Sequence, residues 1–217
     1  LATFATALAK LGARQMHLRP RWQEGDCERW LPELPVPAAE ITRAATLKLP
    51  LLGLISGAEE TFSARLKRTL KITRQQPLEL SWEAATPATL LIFHKKMAAF
   101  GAKKKLVVPP LAWFEALTRR WDSREHISFS IASARLPNHD ANCELLIAFH
   151  SGEAHYLFGC EDRPESLRSA ISPSAAAHAL AIARSQAAGM KAYDFNGFLE
   201  NAPLSDAYAG VCRFKEQ

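Results

Sequence analysis

The sequence predicts an α+β fold in which helices flank a mixed, largely antiparallel sheet. Three β-rich stretches, HISFSIASARL, CELLIAFHSG and EAHYLFGCED, follow one another with polar or glycine-containing turns between them, which is typical of an antiparallel meander. Segments with helical periodicity precede and follow this meander. The clearest is SPSAAAHALAIARSQAAG, in which a serine can cap the start and Gly189 ends the helix.

The elements before the meander are predicted from hydrophobic periodicity and from helix-breaking residues. ATALAKLGARQMHLRP indicates a helix followed by a short strand, and ITRAATLKLPL alternates as a strand does. EETFSARLKRTLKITRQQP places Leu66 and Leu70 four residues apart, which predicts an amphipathic helix. The LELSWEA segment that follows is predicted to be a short strand.

Two further helices are predicted between that strand and the meander. TPATLLIFHKKMAAFG is largely apolar, and PPLAWFEALTRRWDS opens with two prolines, which suit the first turn of a helix. Trp113, Leu117 and Trp121 share one stripe of the second helix. We interpret this stripe as part of the core and not as a platform for stacking nucleic-acid bases.

The composition is that of a globular protein with one large domain, or one domain and part of another. The 217 residues are 48% hydrophobic and 23% charged, and no apolar run approaches the roughly 18 residues of a membrane span. The four cysteines form no CxxC pair and the histidines lack metal-ligand spacing, so we expect buried thiols, no metal and a cytoplasmic location. Since the chain does not begin with Met, we also expect residues upstream.

Positive charge is concentrated in two places. The net charge is +5, and the predicted amphipathic helix carries five of the cations, Arg65, Lys67, Arg68, Lys71 and Arg74. A second run, Lys103, Lys104 and Lys105, is predicted to lie in the loop after Gly101. Both groups suit contacts to phosphates of nucleic acid or of a nucleotide-linked ligand, and both equally suit an ordinary solvated surface.

The last two predicted strands, KAYDFNGF and AGVCRFK, both carry polar residues toward their ends. The first carries Asp194 and Asn196 into a turn, and the second ends at Lys215. Asp and Asn favour turns for local reasons, and a lysine near a terminus is commonly solvated. The alternative is that a site lies where the two strands end.

The motifs YDFNG at 193–197 and RFK at 213–215, with the order of elements, resemble the FemABX family of aminoacyl-tRNA-dependent transferases. Members of that family carry Tyr-Asp-Phe-x-Gly and a late Arg-Phe-Lys strand. From about residue 88 the order of helices and strands is that of an acetyltransferase-like (GNAT) fold. The resemblance implies a partial first GNAT-like half over 1–80, which includes the basic helix, and a complete second half over 81–217.

The resemblance also implies a reaction, the transfer of an amino acid from aminoacyl-tRNA to a primary amine of a peptide acceptor such as a peptidoglycan precursor. Amine attack on an ester needs proximity, a route for the amine proton and stabilisation of the oxyanion. By resemblance, Lys215 stabilises the oxyanion, Phe214 packs beside it, and Asp194 orients the amine. The implied substrate-binding residues are Tyr156, Gly159, Asn196 and Arg213.

The resemblance implies no cofactor, because aminoacyl-tRNA is the co-substrate. The two cationic groups would bind phosphates of the tRNA or of a nucleotide-linked precursor. One alternative is an N-acyltransferase that uses acetyl-CoA. Its usual pyrophosphate loop opens a helix, whereas the nearest match, QAAGMK at 186–191, falls at a predicted helix end and lacks the last small residue. A second alternative is a non-catalytic module that binds RNA or an envelope component.

Overall fold

The strands of the described residues form one six-stranded sheet. The computed structural model describes residues 46–53, 57–121, 127–139, 141–167 and 171–196, and of residues 58 and 117–121 it describes the backbone only. The strands are β1 (Lys48–Pro50), β2 (Glu79–Ala84), β3 (Ser128–Leu136), β4 (Ala141–His150), β5 (Glu153–Asp162) and β6 (Ala192–Asp194). Their spatial order is β1-β6-β5-β4-β3-β2, and every neighbouring pair is antiparallel except β5 and β6, which are parallel. The predicted meander is therefore confirmed.

Helices cover both faces of this sheet. In the described residues they are α1 (Ala64–Arg74), α2 (Pro87–Lys104), α3 (Leu111–Trp121) and α4 (Pro173–Ala187). The helices α1 and α4 lie on one face, and α2 and α3 lie on the other. A mixed, largely antiparallel sheet flanked by helices is the α+β architecture that the sequence predicts, and the prediction is confirmed.

Side-chain caps determine where two of these helices begin. Ser63 Oγ accepts a hydrogen bond from the Leu66 N–H at 3.2 Å, and Ser172 Oγ accepts one from the Ala175 N–H at 3.2 Å. Each cap satisfies a backbone donor that the first turn of a helix leaves without an intrahelical partner. Thr73 of α1 also accepts the Ser172 N–H at 3.0 Å, which fixes the start of α4 against α1.

The predicted loop position of the lysine run is wrong for Lys103 and Lys104, which lie in the last turn of α2. The helix continues past Gly101, and Lys105 ends it with a left-handed φ of 55°. Gly101 is a packing position and not a helix stop, because a Cβ there would lie 2.4 Å from Cγ2 of Val108. The glycine lets the segment after α2 return against the helix.

Small side chains bring α4 close to the sheet. Ala175, Ala176 and Ala179 are at most 4% exposed, and they belong to the same core as Leu145 of β4 and Tyr193 of β6. Alanine is both the strongest helix former and small enough for close approach of the backbone. This contact places α4 mainly beneath β3 and β4, and α4 also reaches the parallel pair β5 and β6.

Aromatic rings hold α3 against the other face. Phe114 is completely buried, and its ring centroid lies 5.2 Å from that of Phe158 in an edge-to-face contact. Trp113 also contacts Phe158, at 5.6 Å, yet it is 43% exposed, so the predicted core stripe is only partly confirmed there. The side chains of Leu117 and Trp121 lie outside the described residues. Phe114, one residue after Trp113, provides the buried contact.

A bulge in β5 determines which side chains face α4. Leu146 pairs with Phe158 and Ile147 pairs with Tyr156, so Leu157 is an extra residue in β5. Without the bulge, strict alternation would send Tyr156 and Gly159 to opposite faces. With it, Gly159 lies beneath Tyr156, and the ring occupies the space where a side chain at 159 would stand.

Replacing Gly159 by alanine is expected to lower the free energy of unfolding by about 1–3 kcal/mol, the usual effect of overfilling a packed site. A Cβ at this position would lie 2.6 Å from Tyr156 Oη and 2.8 Å from Leu145 Cδ2. Urea unfolding of the variant and the wild type measures the loss. In a Tyr156→Ala background the same replacement should be less destabilising, and an equal loss in both backgrounds would contradict this explanation.

Elements that precede residue 81 contribute to the same sheet and core as the later ones. β1 pairs with β6, and Leu70 of α1 is buried in the core that contains Tyr193. The division into 1–80 and 81–217 stays a prediction. The helix and the short strand predicted in ATALAKLGARQMHLRP lie outside the described residues, as does the predicted strand AGVCRFK.

Two other sequence expectations concern the thiols and the helices. Cys143 and Cys160 are buried and unpaired, as expected, and Cys27 and Cys212 lie outside the described residues. No helix within the described ranges is both long enough and apolar enough to cross a membrane.

Candidate functional site

The parallel strands β5 and β6 pair over a short distance and then separate. Glu153, Ala154 and His155 of β5 lie beside Ala192, Tyr193 and Asp194 of β6. Beyond His155, within the described part of the chain, β5 continues to Asp162 paired only with β4, while β6 ends at Asp194. The separation creates a fork in the sheet, with His155 and Asp194 at its apex.

A cluster of polar side chains occupies one face of this fork. Ala154 and Tyr193 belong to the core on the α4 side, so alternation along the strands directs their neighbours to the opposite face. Lys48 of β1 pairs directly with Asp194, and Thr46 precedes β1 by two residues. We call these side chains the fork cluster, and its members are Thr46, Lys48, Glu153, His155 and Asp194.

Asp194 is the most heavily hydrogen-bonded member of the fork cluster. Its residue is 7% exposed, its Oδ1 accepts hydrogen bonds from the Thr46 hydroxyl and from the Asn196 N–H (2.7 Å), and its Oδ2 lies 3.4 Å from His155 Nδ1. Burial alone would raise the pKa of this carboxyl. The hydrogen bonds from His155, Thr46 and the Asn196 backbone outweigh burial and hold the pKa at about 2. Asp194 is therefore ionised at neutral pH.

Replacing Asp194 by asparagine is expected to remove about 2 kcal/mol of stability at pH 7, the linkage value of a pKa shift of this size. The folded-state pKa of about 2 lies below the ordinary 3.8, so the stabilisation is present above pH 4 and is lost as the pH falls from about 4 to 2. Urea unfolding at pH 7, 4, 3 and 2 should show the difference between wild type and variant shrinking to near zero.

The matched control for this prediction is Asp162→Asn, since Asp162 is 66% exposed in its ion pair with Lys103. An exposed pair of this kind contributes about 0–1 kcal/mol. A difference between wild type and Asp194→Asn that stays constant from pH 7 to pH 2 would contradict the assignment of the shifted carboxyl to Asp194.

His155 stands between two carboxylates. Its Nδ1 faces Asp194 Oδ2 at 3.4 Å, its Nε2 lies 3.7 Å from Glu153 Oε2, and its side chain is 14% exposed. Lys48 Nζ contacts both oxygens of Glu153, at 3.0 and 2.9 Å. The cluster thus contains one imidazole whose Nδ1 is held by an ionised carboxylate, an arrangement suited to proton transfer.

The same three groups have the spacing of a metal site. One ligand atom each from Glu153, His155 and Asp194 lie within 4.8 Å of one another. A carboxylate-histidine-carboxylate set is chemically able to bind a divalent cation. Here, however, the Lys48 ammonium already contacts both Glu153 oxygens, and an ion would have to displace it.

An aromatic cluster lies on the other face of the fork, toward α4. His178 Nδ1 and Tyr193 Oη are 3.0 Å apart, and both residues are buried. The rings of Tyr156 and Phe195 lie 4.8 and 5.5 Å from the His178 ring. Burial raises the pKa of Tyr193 well above its usual value, so its hydroxyl stays protonated.

The structure brings some of the predicted site residues together and separates others. Asp194 and Asn196 are in contact, and the φ of 51° at Asn196 shows that it also shapes the turn after β6. Tyr156 and Gly159 lie on the α4 side of the sheet, opposite the fork cluster. Arg213, Phe214 and Lys215 lie outside the described residues. The functional roles of all seven residues stay predictions.

The predicted phosphate-binding cations are exposed, and several already contact acceptors within the protein. Lys67 Nζ donates to the Glu60 carbonyl at 2.7 Å, and Arg74 forms an ion pair with Glu59. Lys103 pairs with Asp162 at 2.9 Å. The other members, Arg65, Arg68, Lys71, Lys104 and Lys105, are likewise exposed. Phosphate binding by either group stays a prediction.

Sequence reasoning missed every member of the fork cluster except Asp194. The sequence analysis assigned no role to the histidines, whereas His155 lies beside Asp194 and His178 is buried in the core against Tyr193. The available signal was the spacing of Glu153 and His155, because residues two apart in a strand share a face. Lys48 carried no such signal, since its neighbour Asp194 is distant in the sequence.

Comparison with known proteins supports the fold. No family model matches the sequence, and none of the curated proteins matches it. Among solved structures, the chain is similar to one described as "Crystal structure of FemX", with a TM-score of 0.60 and 11% sequence identity. The similarity covers 78% of this chain and 57% of that chain, so this chain spans little more than half of the FemX structure. The chain therefore has the GNAT-like fold of FemX, which is the fold implied by its resemblance to the FemABX family.

Proposed function

We propose that this chain is part of an aminoacyltransferase that moves an amino acid from aminoacyl-tRNA to a primary amine of a peptide acceptor, a peptidoglycan precursor. The observation that carries the proposal is the FemX-like fold, at a TM-score of 0.60. It gains weight from the position of Asp194, because the aspartate of the family-like motif YDFNG lies at the fork and is held ionised there.

The chemistry of the described residues supports direct attack by the amine. Covalent catalysis would need an activated nucleophile such as a thiolate. Burial raises the pKa of Cys143 well above its usual value and that of Cys160 to about 12. Neither thiol provides a nucleophile at neutral pH. An ester with an attacking amine needs none, because the amine itself is the nucleophile.

The start of α4 disfavours the acetyl-CoA alternative. Enzymes of that kind bind the CoA pyrophosphate with free backbone N–H groups at a helix start. Here the Glu161 carboxylate already accepts the Ser174 N–H at 3.2 Å, and Ser172 Oγ accepts the Ala175 N–H. These two backbone donors already have acceptors within the protein, so a pyrophosphate would have to displace them.

The test uses the full-length gene product that contains this chain. It is incubated with a pool of radiolabelled aminoacyl-tRNAs or with labelled acetyl-CoA, each with a muropeptide precursor that bears a free amine. We expect label to move from tRNA to the amine, and Lys215→Ala to abolish the transfer. Lys95→Ala is the control, because Lys95 is an exposed lysine of α2 outside the fork cluster and both cationic groups.

Two outcomes would reject this proposal. Transfer from acetyl-CoA alone would assign the protein to the acyl-CoA N-acyltransferases. Transfer from neither donor, together with binding of tRNA or muropeptide, would favour a non-catalytic binding module.

A further inference from the structure

We infer that His155 is the proton acceptor for the attacking amine and that Asp194 is its positioning residue. This inference rests on the proposed aminoacyl transfer and adds a second catalytic group to the lysine that the family resemblance implies. It follows from the geometry of the fork cluster.

The reaction requires a group that accepts and returns one proton. The amine nitrogen forms a bond to the ester carbonyl carbon, and the nitrogen then carries a proton that it must lose. Breaking the bond between that carbon and the ester oxygen releases a ribose hydroxyl, which must gain a proton. An imidazole that takes the proton from nitrogen and delivers it to oxygen balances both steps without any further reagent.

Asp194 determines the orientation and the tautomer of the His155 ring. The carboxylate has a pKa of about 2, so at neutral pH it only accepts hydrogen bonds. Nδ1 of His155 faces Asp194 Oδ2 at 3.4 Å and is therefore the protonated nitrogen. Nε2 lies 3.7 Å from Glu153 Oε2, too far for a hydrogen bond to that oxygen, and carries the lone pair. Asp194 cannot turn away easily, because Thr46 and the Asn196 N–H hold its other oxygen.

The charges around His155 favour a temporary positive charge on the ring. Within the described residues, Asp194 faces it from β6, Glu153 from its own strand and Lys48 from β1. His150 of β4 lies across from Glu153, and its Nε2 contacts the Ser151 hydroxyl at 2.8 Å. Among these described groups, Lys48 offsets the charge of Glu153, so the imidazolium would be stabilised chiefly by the carboxylate of Asp194.

The location of His155 suits a substrate. The fork cluster lies on the sheet face opposite α4, at the point where β5 and β6 separate. The side chain of His155 is 14% exposed and that of Lys48 is 36% exposed, so this side of the fork has contact with solvent. An ion pair with only a structural role would not need this contact with solvent.

The test measures acceptor-dependent kinetics in the full-length protein. We expect His155→Gln to lower kcat about 10²–10⁴-fold, the usual contribution of a positioned acid–base group, with little change in KM. The shape of the pH–rate profile should also change. His139→Gln is the matched control, because His139 contacts Gln76 away from the fork. It should leave kcat and the pH–rate profile as they are in the wild type.

A second measurement does not depend on activity. Nitrogen-15 NMR of the histidine rings at pH 8 should show His155 with a protonated Nδ1 and an unprotonated Nε2, and Asp194→Asn should weaken this tautomer preference. The opposite tautomer in the wild type would overturn the inference.

The two levels of the proposal fail differently. If the wild type transfers label but His155→Gln keeps kcat within about threefold and the same pH profile, well short of a general acid–base effect, the inference is wrong and the proposed function stands. If the wild type transfers label from no donor, the proposed function fails and the inference fails with it.

Discussion

Replacing Tyr193 by alanine should lower the free energy of unfolding by about 3–5 kcal/mol, the range for a large aromatic side chain removed from a core. Tyr193 is completely buried beneath the fork, between α4 and the sheet. Its ring contacts the rings of Phe195 at 5.0 Å and His178 at 6.0 Å, so truncation removes contacts on several sides. Urea unfolding monitored by circular dichroism gives the value.

Tyr193→Phe is the matched control, since it keeps the ring and removes only the hydroxyl. The loss of the hydrogen bond to His178 Nδ1 (3.0 Å) should lower the stability by about 0.5–1.5 kcal/mol. Similar losses in the two variants would mean that the hydroxyl, and not the ring, carries the contribution of this residue. We expect Tyr193→Ala also to disturb Asp194, the next residue, and therefore to weaken the fork cluster.

Replacing Phe114 by alanine should have an effect of the same size, about 3–5 kcal/mol. Phe114 is the buried residue through which α3 packs on the sheet, with Phe93 at 6.0 Å and Phe158 at 5.2 Å, both edge-to-face. Such ring pairs add about 0.5–1.5 kcal/mol each to the burial of the side chain. The measurement is again equilibrium unfolding in urea.

Trp113→Ala tests whether burial or aromatic character determines the loss of stability, because Trp113 is the aromatic neighbour of Phe114. Trp113 is larger than Phe114 but 43% exposed, so its replacement should be distinctly less destabilising although its ring contacts two aromatic partners. If Trp113→Ala were the more damaging variant, the core of this face would be assigned to the wrong residue.

Local patterns sufficed for the elements that rely on local interactions. The stretch EAHYLFGCED corresponds to β5 from Glu153 to Asp162, and the serine expected to cap α4 is Ser172. Alternation and capping are properties of neighbouring residues, so they are visible in the sequence. Gly101 was wrongly predicted to end its helix because its role is not local. It depends on Val108, which lies against it only in the folded chain.

The site was predictable only in part because it is assembled from distant segments. Asp194 was identified from its motif and turn chemistry, whereas Thr46 and Lys48 reach it through the pairing of β1 with β6. No local pattern specifies that pairing. The bulge at Leu157 similarly reverses the facing of the residues after it, so Tyr156 and Gly159 could not be assigned to a face by counting along the strand.

The strand order has a consequence for how the chain folds during synthesis. β2, β3, β4 and β5 pair with sequence neighbours and can form a sheet early, but β1 pairs with β6, and Pro50 and Ala192 are 142 positions apart. At about 5–20 residues per second, β1 waits about 7–28 s for its partner to be made. Until then the fork cluster does not exist, since β6 must insert between β1 and β5 to assemble it. Formation of the site is therefore a late event that reports completion of the sheet, and slow closure of this long-range contact should dominate the folding rate.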